Sequence, residues 1–145
     1  MNEHDDPFRQ ALRAYAAAAR AGDVEAFVAL YADDVHLFDL WGAWSLRGLA
    51  AWRAAVTGWF GSLGDERLVV TADEVESTRC GDLAVGHAIL TYTAFSAAGQ
   101  ALRSLDNRIT MTLRRIGGAW KIVHEHTSAP VDHATAKAML KRAAG

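Results

Sequence analysis

Two histidines two residues apart, His124 and His126 in WKIVHEHTSAP, are side chains with chemistry to offer. Alternation in a strand has period two, so Trp120, Ile122, His124, His126 and Ser128 share one face and Glu125 stands on the other. Such a face belongs either to a core strand emerging into solvent or to a strand whose far end lines a polar cavity. An i, i+2 histidine pair can ligate a metal, but no third ligand is placed nearby, so the pair reads as a polar pocket wall and no metal is expected. An unperturbed histidine titrates near neutrality, so His124 is a candidate for moving a proton. Asp106 and Arg108, in SLDNR, also share a strand face, and a guanidinium so close favours the ionised carboxylate, so the two are expected to form an ion pair. Trp41 and Trp44 lie in the loop WGAWSLRG, which suits either the mouth of a site for an apolar ligand or a subunit contact. His36 and His87 are isolated on strand candidates and read as structural. Cys80 sits beside Gly81 with no base next to it and reads as inert.

The elements that must position these residues follow from hydrophobic period. Phe8, Leu12, Tyr15 and Ala19 predict an amphipathic helix from Asp5 to Ala21, with Pro7 in its first turn and Gly22 at its end. Asp23 caps a second helix whose stripe is Val24, Phe27, Val28 and Tyr31. Val35–Leu40 is a short strand candidate. Leu49, Trp52, Val56, Trp59 and Phe60 mark a third helix, ended by Gly61 and Gly64. From Arg67 onward four long segments rich in Val, Ile, Thr and Tyr are separated by short Gly-containing turns, which predicts a four-stranded antiparallel meander. In the third of these strands Leu105, Ile109, Met111 and Leu113 take one side, and Ser104, Asp106, Arg108, Thr110 and Thr112 the other. Asp132 to Ala143 reads as a closing helix capped by Asp132. Helices first and strands later give an α+β class.

The 145 residues form a single domain, 1–145, large enough for a proper core. Hydrophobic residues at 51% against 22% charged exclude a disordered chain. A net charge of −2 without a basic run argues against nucleic acid as a partner, and no apolar run is long enough to span a membrane. One cysteine excludes an internal disulfide and Cys-based zinc sites. The N-terminus is polar and acidic rather than signal-like, so a cytoplasmic location is expected.

The order of elements, with AGDVEAFVALYADDV early and GGAWKIVHEHTSAP late, resembles the nuclear-transport-factor-2-like superfamily. That superfamily includes ketosteroid isomerases, SnoaL-like polyketide cyclases, limonene epoxide hydrolases and the calmodulin-dependent kinase association domain. The resemblance implies a cone, a curved antiparallel sheet wrapped on N-terminal helices. The run YAAAARAGDVEAFVALYADDVHLFDLWG aligns without a gap to the start of the ketosteroid isomerases. It puts Tyr15 at the oxyanion-hole tyrosine, Asp39 at the general base and, across loops, Asp106 at the second oxyanion-hole acid. The resemblance therefore implies cofactor-independent acid/base chemistry, isomerase- or cyclase-like, on a small apolar carbonyl compound. Asp39, Tyr15 and Asp106 would be catalytic, and Arg108, His124, His126, Trp41 and Trp44 would hold the substrate. Two alternatives stand beside it. One is a ligand-binding or oligomerisation module like the kinase association domain. The other is an epoxide hydrolase, since Asp39, Asp106 and Arg108 supply the residue types of that family's Asp-Arg-Asp set. The apolar and Thr-rich residues on both faces of the long strands, Ile89, Leu90, Tyr92 and Phe95 among them, imply a homodimer through the outer sheet face.

Overall fold

A computed structural model describes residues 6–143. Its elements run α1 (Pro7–Ala21), α2 (Val24–Val28), β1 (Tyr31–Phe38), β2 (Leu46–Arg47), α3 (Leu49–Ser62), β3 (Arg67–Cys80), β4 (Leu83–Phe95), β5 (Ala101–Ile116) and β6 (Ala119–Ser128). Asp6 caps α1, accepting from the backbone N–H groups of Phe8 and Arg9 at 3.0 and 3.2 Å; Asp5, the expected start, lies outside the described residues. Gly22, at φ 64°, ends α1 in the left-handed conformation that glycine adopts without penalty. Asp23 then caps α2 through the Ala26 N–H. Helix α2 is shorter than its stripe predicts, because Tyr31 already belongs to β1. None of the described helices is long and apolar enough to cross a membrane.

The six strands form one sheet in the order β2-β1-β6-β5-β4-β3. Strands β3 to β6 are the expected antiparallel meander, and β1 joins it parallel to β6. The inner face packs against the three helices in one core that runs from Phe8 and Phe27 through Trp52 and Val56 to Leu90, Ile109, Met111 and Ile122. Helix α1 lies so close to β4 that a Cβ on Gly86 would stand 2.1 Å from the Phe8 ring.

Strand β1 starts and ends earlier than the expected Val35–Leu40, and two larger features also depart from the sequence reading. Strand β6 carries a bulge: Leu113 pairs with Ile122 and Thr112 with His124, leaving Val123 without an opposite number. Ile122 faces the core, and beyond the extra residue Glu125 and Thr127 face it too, while His124 and His126 turn to the outer face. Residues 132–143, expected as a helix, form an irregular strap. Asp132 accepts from the N–H groups of Ala134 and Thr135, both at 2.9 Å, but Ala136 has φ 59° and a bridge between Val131 and Ala138 turns the chain back. Strand β5 outruns β6, and the strap fills part of the edge so exposed: the Asp106 N–H donates to the Leu140 carbonyl at 2.7 Å.

Candidate active site

A cavity of about 570 Å³ opens between α1, α3 and the inner face of the sheet. Trp52, Val56 and Trp59 line it from α3, Leu63 from the end of that helix, Leu46, Leu68 and Ala94 from the sheet, and Trp41 from the loop after β1. Polar groups on this apolar wall are few: Asp39, Tyr15, Tyr92, Asn107 and Thr127, with Ser62, Ser104 and Arg103 also on the lining. Arg103 is held by Glu66 in a two-pronged ion pair, 2.8 Å on each arm.

Asp39 follows the last residue of β1. Its carboxylate accepts from the Thr127 hydroxyl at 3.2 Å and from the Trp41 N–H at 3.3 Å. The Thr127 hydroxyl in turn accepts from the Leu40 N–H at 2.8 Å, so β6 fixes the start of the loop and the carboxylate together. Burial raises the Asp39 carboxyl above the ordinary range, and the hydrogen bonds from Trp41, Thr127 and Leu40 oppose that rise. No cation among the described residues forms an ion pair with Asp39.

Tyr15 reaches the cavity from α1 and hydrogen-bonds Tyr92 on β4, oxygen to oxygen 2.7 Å. The Asn107 Nδ2 donates to the Tyr92 hydroxyl at 3.5 Å. Burial holds both phenols well above their usual pKa, so each keeps its proton at neutral pH. Behind them Glu125 is 2% exposed and accepts from the Tyr31 hydroxyl at 2.6 Å. Burial pushes the Glu125 carboxyl up to about 8, against the Tyr31 hydrogen bond and helped by the charge of Asp39.

Asp39, Tyr15 and Trp41 are thus brought together, and five expected partners are not. Asp106 lies on the outer face, where it accepts from the Arg142 N–H at 2.8 Å and the Thr91 hydroxyl at 2.7 Å. Burial raises its carboxyl, but the hydrogen bonds from Arg142 and Thr91 and the Arg142 charge outweigh that and leave it lowered. It is an anchor for the strap, and its ion pair is with Arg142, not Arg108. Arg108 stands exposed on the same face and donates to the Ser128 hydroxyl at 3.0 Å. His124 donates to the His36 carbonyl at 2.6 Å, and His126 sets its ring edgewise on Phe38. Trp44, 98% exposed, points into solvent and does not line the cavity. Asp106 and Arg108 therefore cannot join Asp39 in an epoxide-opening set. Among the described residues no group of three His, Cys, Asp or Glu side chains is placed to hold a metal ion.

Tyr92, Asn107 and Thr127 also line the cavity, with Glu125 behind them, and the sequence reading assigns none of the four to it. Asn107 carries a signal, because it interrupts the apolar side of β5 between Leu105 and Ile109. Glu125 and Thr127 carry none without the bulge.

Residues 8–132 match the sequence model of the SnoaL-like domain. No curated protein matches the chain. Among solved structures, an NTF2-like protein of unknown function from Pseudomonas putida KT2440 is 29% identical, with 94% of each chain covered and a TM-score of 0.81. A Novosphingobium aromaticivorans NTF2-like protein with a cystatin-like fold is 22% identical over 90% of this chain and 84% of that one, TM-score 0.73. A Thiobacillus denitrificans ATCC 25259 protein, provisionally described as a calcium/calmodulin-dependent protein kinase type II association domain, is 28% identical over 85% and 94%, TM-score 0.64.

Proposed function

The chain belongs to the SnoaL-like domain family, and on that premise we propose that its cavity performs cofactor-independent acid/base chemistry on a small, largely apolar carbonyl compound. The observation that carries this reading is a carboxylate, Asp39, with no ion-paired cation among the described residues, sharing a mostly apolar cavity with the paired phenols of Tyr15 and Tyr92. Asp39 takes a proton from the carbon beside the carbonyl. A phenol O–H donates to the oxygen on which the enolate charge develops, where a preorganised donor in a dry site is worth most. The Asp39 carboxyl then returns the proton to another carbon, for an isomerisation. If the enolate carbon instead attacks a second carbonyl, the ring closes and the proton goes to the new alkoxide. No group outside the chain is needed to balance either step.

The test follows the proton. In deuterated buffer, NMR of a panel of cyclic enones and 1,3-diketones reads exchange at the carbon beside the carbonyl. Asp39→Asn keeps the shape and removes the base, so turnover should fall roughly 10²- to 10⁴-fold with little change in ligand affinity. Binding without exchange in the parent protein, with Asp39→Asn indistinguishable from it, would favour a ligand-binding module. The outer sheet face gives that second reading its support. Phe38, Leu83 and Val85 stand exposed there beside Ile89 and Phe95, and we take this face as the seat of a homodimer.

A further inference from the structure

The hydrogen-bond inventory of the cavity wall does not close. Asn107 projects inward from β5 and is 7% exposed. Its Nδ2 reaches the Tyr92 hydroxyl, but its Oδ1 is buried and has no partner among the described residues. A buried amide oxygen left unpaired is costly, and such a group calls for a partner that arrives later. The two phenols leave a complementary remainder. They own two hydroxyl protons between them, and the 2.7 Å contact uses one. The Tyr92 oxygen already accepts from Asn107, so whichever phenol donates to the other, one hydroxyl proton is left over. At the Tyr15–Tyr92–Asn107 cluster the wall therefore offers one donor and one acceptor, set in surroundings of tryptophan and aliphatic side chains, while the buried Trp52 Nε1, also without a partner among the described residues, is a further spare donor beside Tyr31.

That pair matches a single hydroxyl, which accepts with its oxygen and donates with its proton. A ketone or an ether satisfies only the donor and leaves Asn107 Oδ1 orphaned. We propose that the ligand of this cavity is an enol or phenol carried on an apolar ring system, its O–H received by Asn107 Oδ1 and its oxygen by the phenol pair. The inference rests on the reading of the cavity as a ligand site and adds the ligand's polar group. It also fits the chemistry assigned to Asp39, since an enol is the protonated form of the intermediate that a base beside a carbonyl creates.

Two probes of equal ring size separate the cases: 2-naphthol and its methyl ether, 2-methoxynaphthalene. Each is titrated into the parent protein, Asn107→Leu, Asn107→Asp and Asp39→Asn, with quenching of the cavity tryptophans as the readout. The parent should prefer the naphthol by roughly tenfold or more, as sites built to receive a donor reject analogues that lack it. Asn107→Leu, close to isosteric, should erase the preference. Asn107→Asp, which keeps an acceptor, should retain it, and Asp39→Asn should leave it intact. If Asn107→Leu disturbs the fold by circular dichroism, Asn107→Ala takes its place. Equal binding of both probes by the parent overturns the inference and leaves the cavity reading standing. A preference that survives in Asn107→Leu, or vanishes in Asp39→Asn, assigns the receiver elsewhere and overturns it too. If neither probe binds at millimolar concentration, the cavity reading falls and the inference with it.

Discussion

At the scale of single residues, the placement of side chains follows from which face each position takes. Tyr15 and Asp39 reach the cavity because a helix stripe and a strand end leave little choice of direction. His124 and His126 fall on the other face because counting by twos from Trp120 cannot register an unpaired Val123. The residue that the histidines displace in that count, Glu125, carries a testable pH dependence. Its folded carboxyl is raised to about 8, against an ordinary 4.5, chiefly by burial. The native state therefore binds more protons than the unfolded chain between those values. Stability should be full below about pH 4.5, fall as pH rises toward 8, and level off above. Glu125→Gln keeps an acceptor for Tyr31 and removes the ionisation. Urea unfolding at pH 5 and pH 8.5 should show the variant gaining on the parent by a few kcal/mol at the higher pH, since each tenfold change in proton affinity is worth about 1.4 kcal/mol. An advantage independent of pH would mean that Glu125 is not the group responsible.

At the scale of elements, the strands are legible in the sequence and the last segment is not. Gly-containing turns and β-branched runs delimit β3 to β6 closely, since both signals are local. The strap has helix-forming alanines and a capping aspartate, yet its conformation is set by what β5 leaves uncovered, a fact about strand lengths elsewhere in the chain. The junction of α1 with β4 is equally silent in the sequence. At Gly86 the Phe8 ring lies on the backbone itself. Gly86→Ala would drive a methyl group into that ring and should cost about 1–3 kcal/mol, seen as a lowered thermal midpoint. Phe8→Leu in the same chain should recover part of the loss, and the two changes should not add. If alanine is tolerated without a shift, α1 does not press on β4 as described.

At the scale of the whole molecule, the α+β cone is legible because helices and strands are segregated along the chain, and the outer face of its sheet is where assembly can be tested. Pairing with Asp73 and Arg108 places Ile89 near the middle of that face. Ile89→Asp puts a charge there without touching the cavity. Sedimentation equilibrium at micromolar concentration should find the parent as a dimer and the variant as a monomer. A monomeric parent, or a variant that still pairs, places any contact elsewhere. If the Ile89→Asp monomer exchanges substrate protons at the parental rate, each cone works alone.

The unpaired residue in β6 also bears on how such a chain can change its length. A strand without slack keeps its faces only when residues are gained or lost in twos, because a single deletion hands each side's place to the other from there to the strand's end. Val123 is a point where one residue can be shed without that exchange. Removing it leaves Ile122, Glu125 and Thr127 in their inward frame. Losing Glu125 instead would bring His126 inward and turn out Thr127, the residue that steadies Asp39. Length variation in descendants of this strand is thus channelled to a single address.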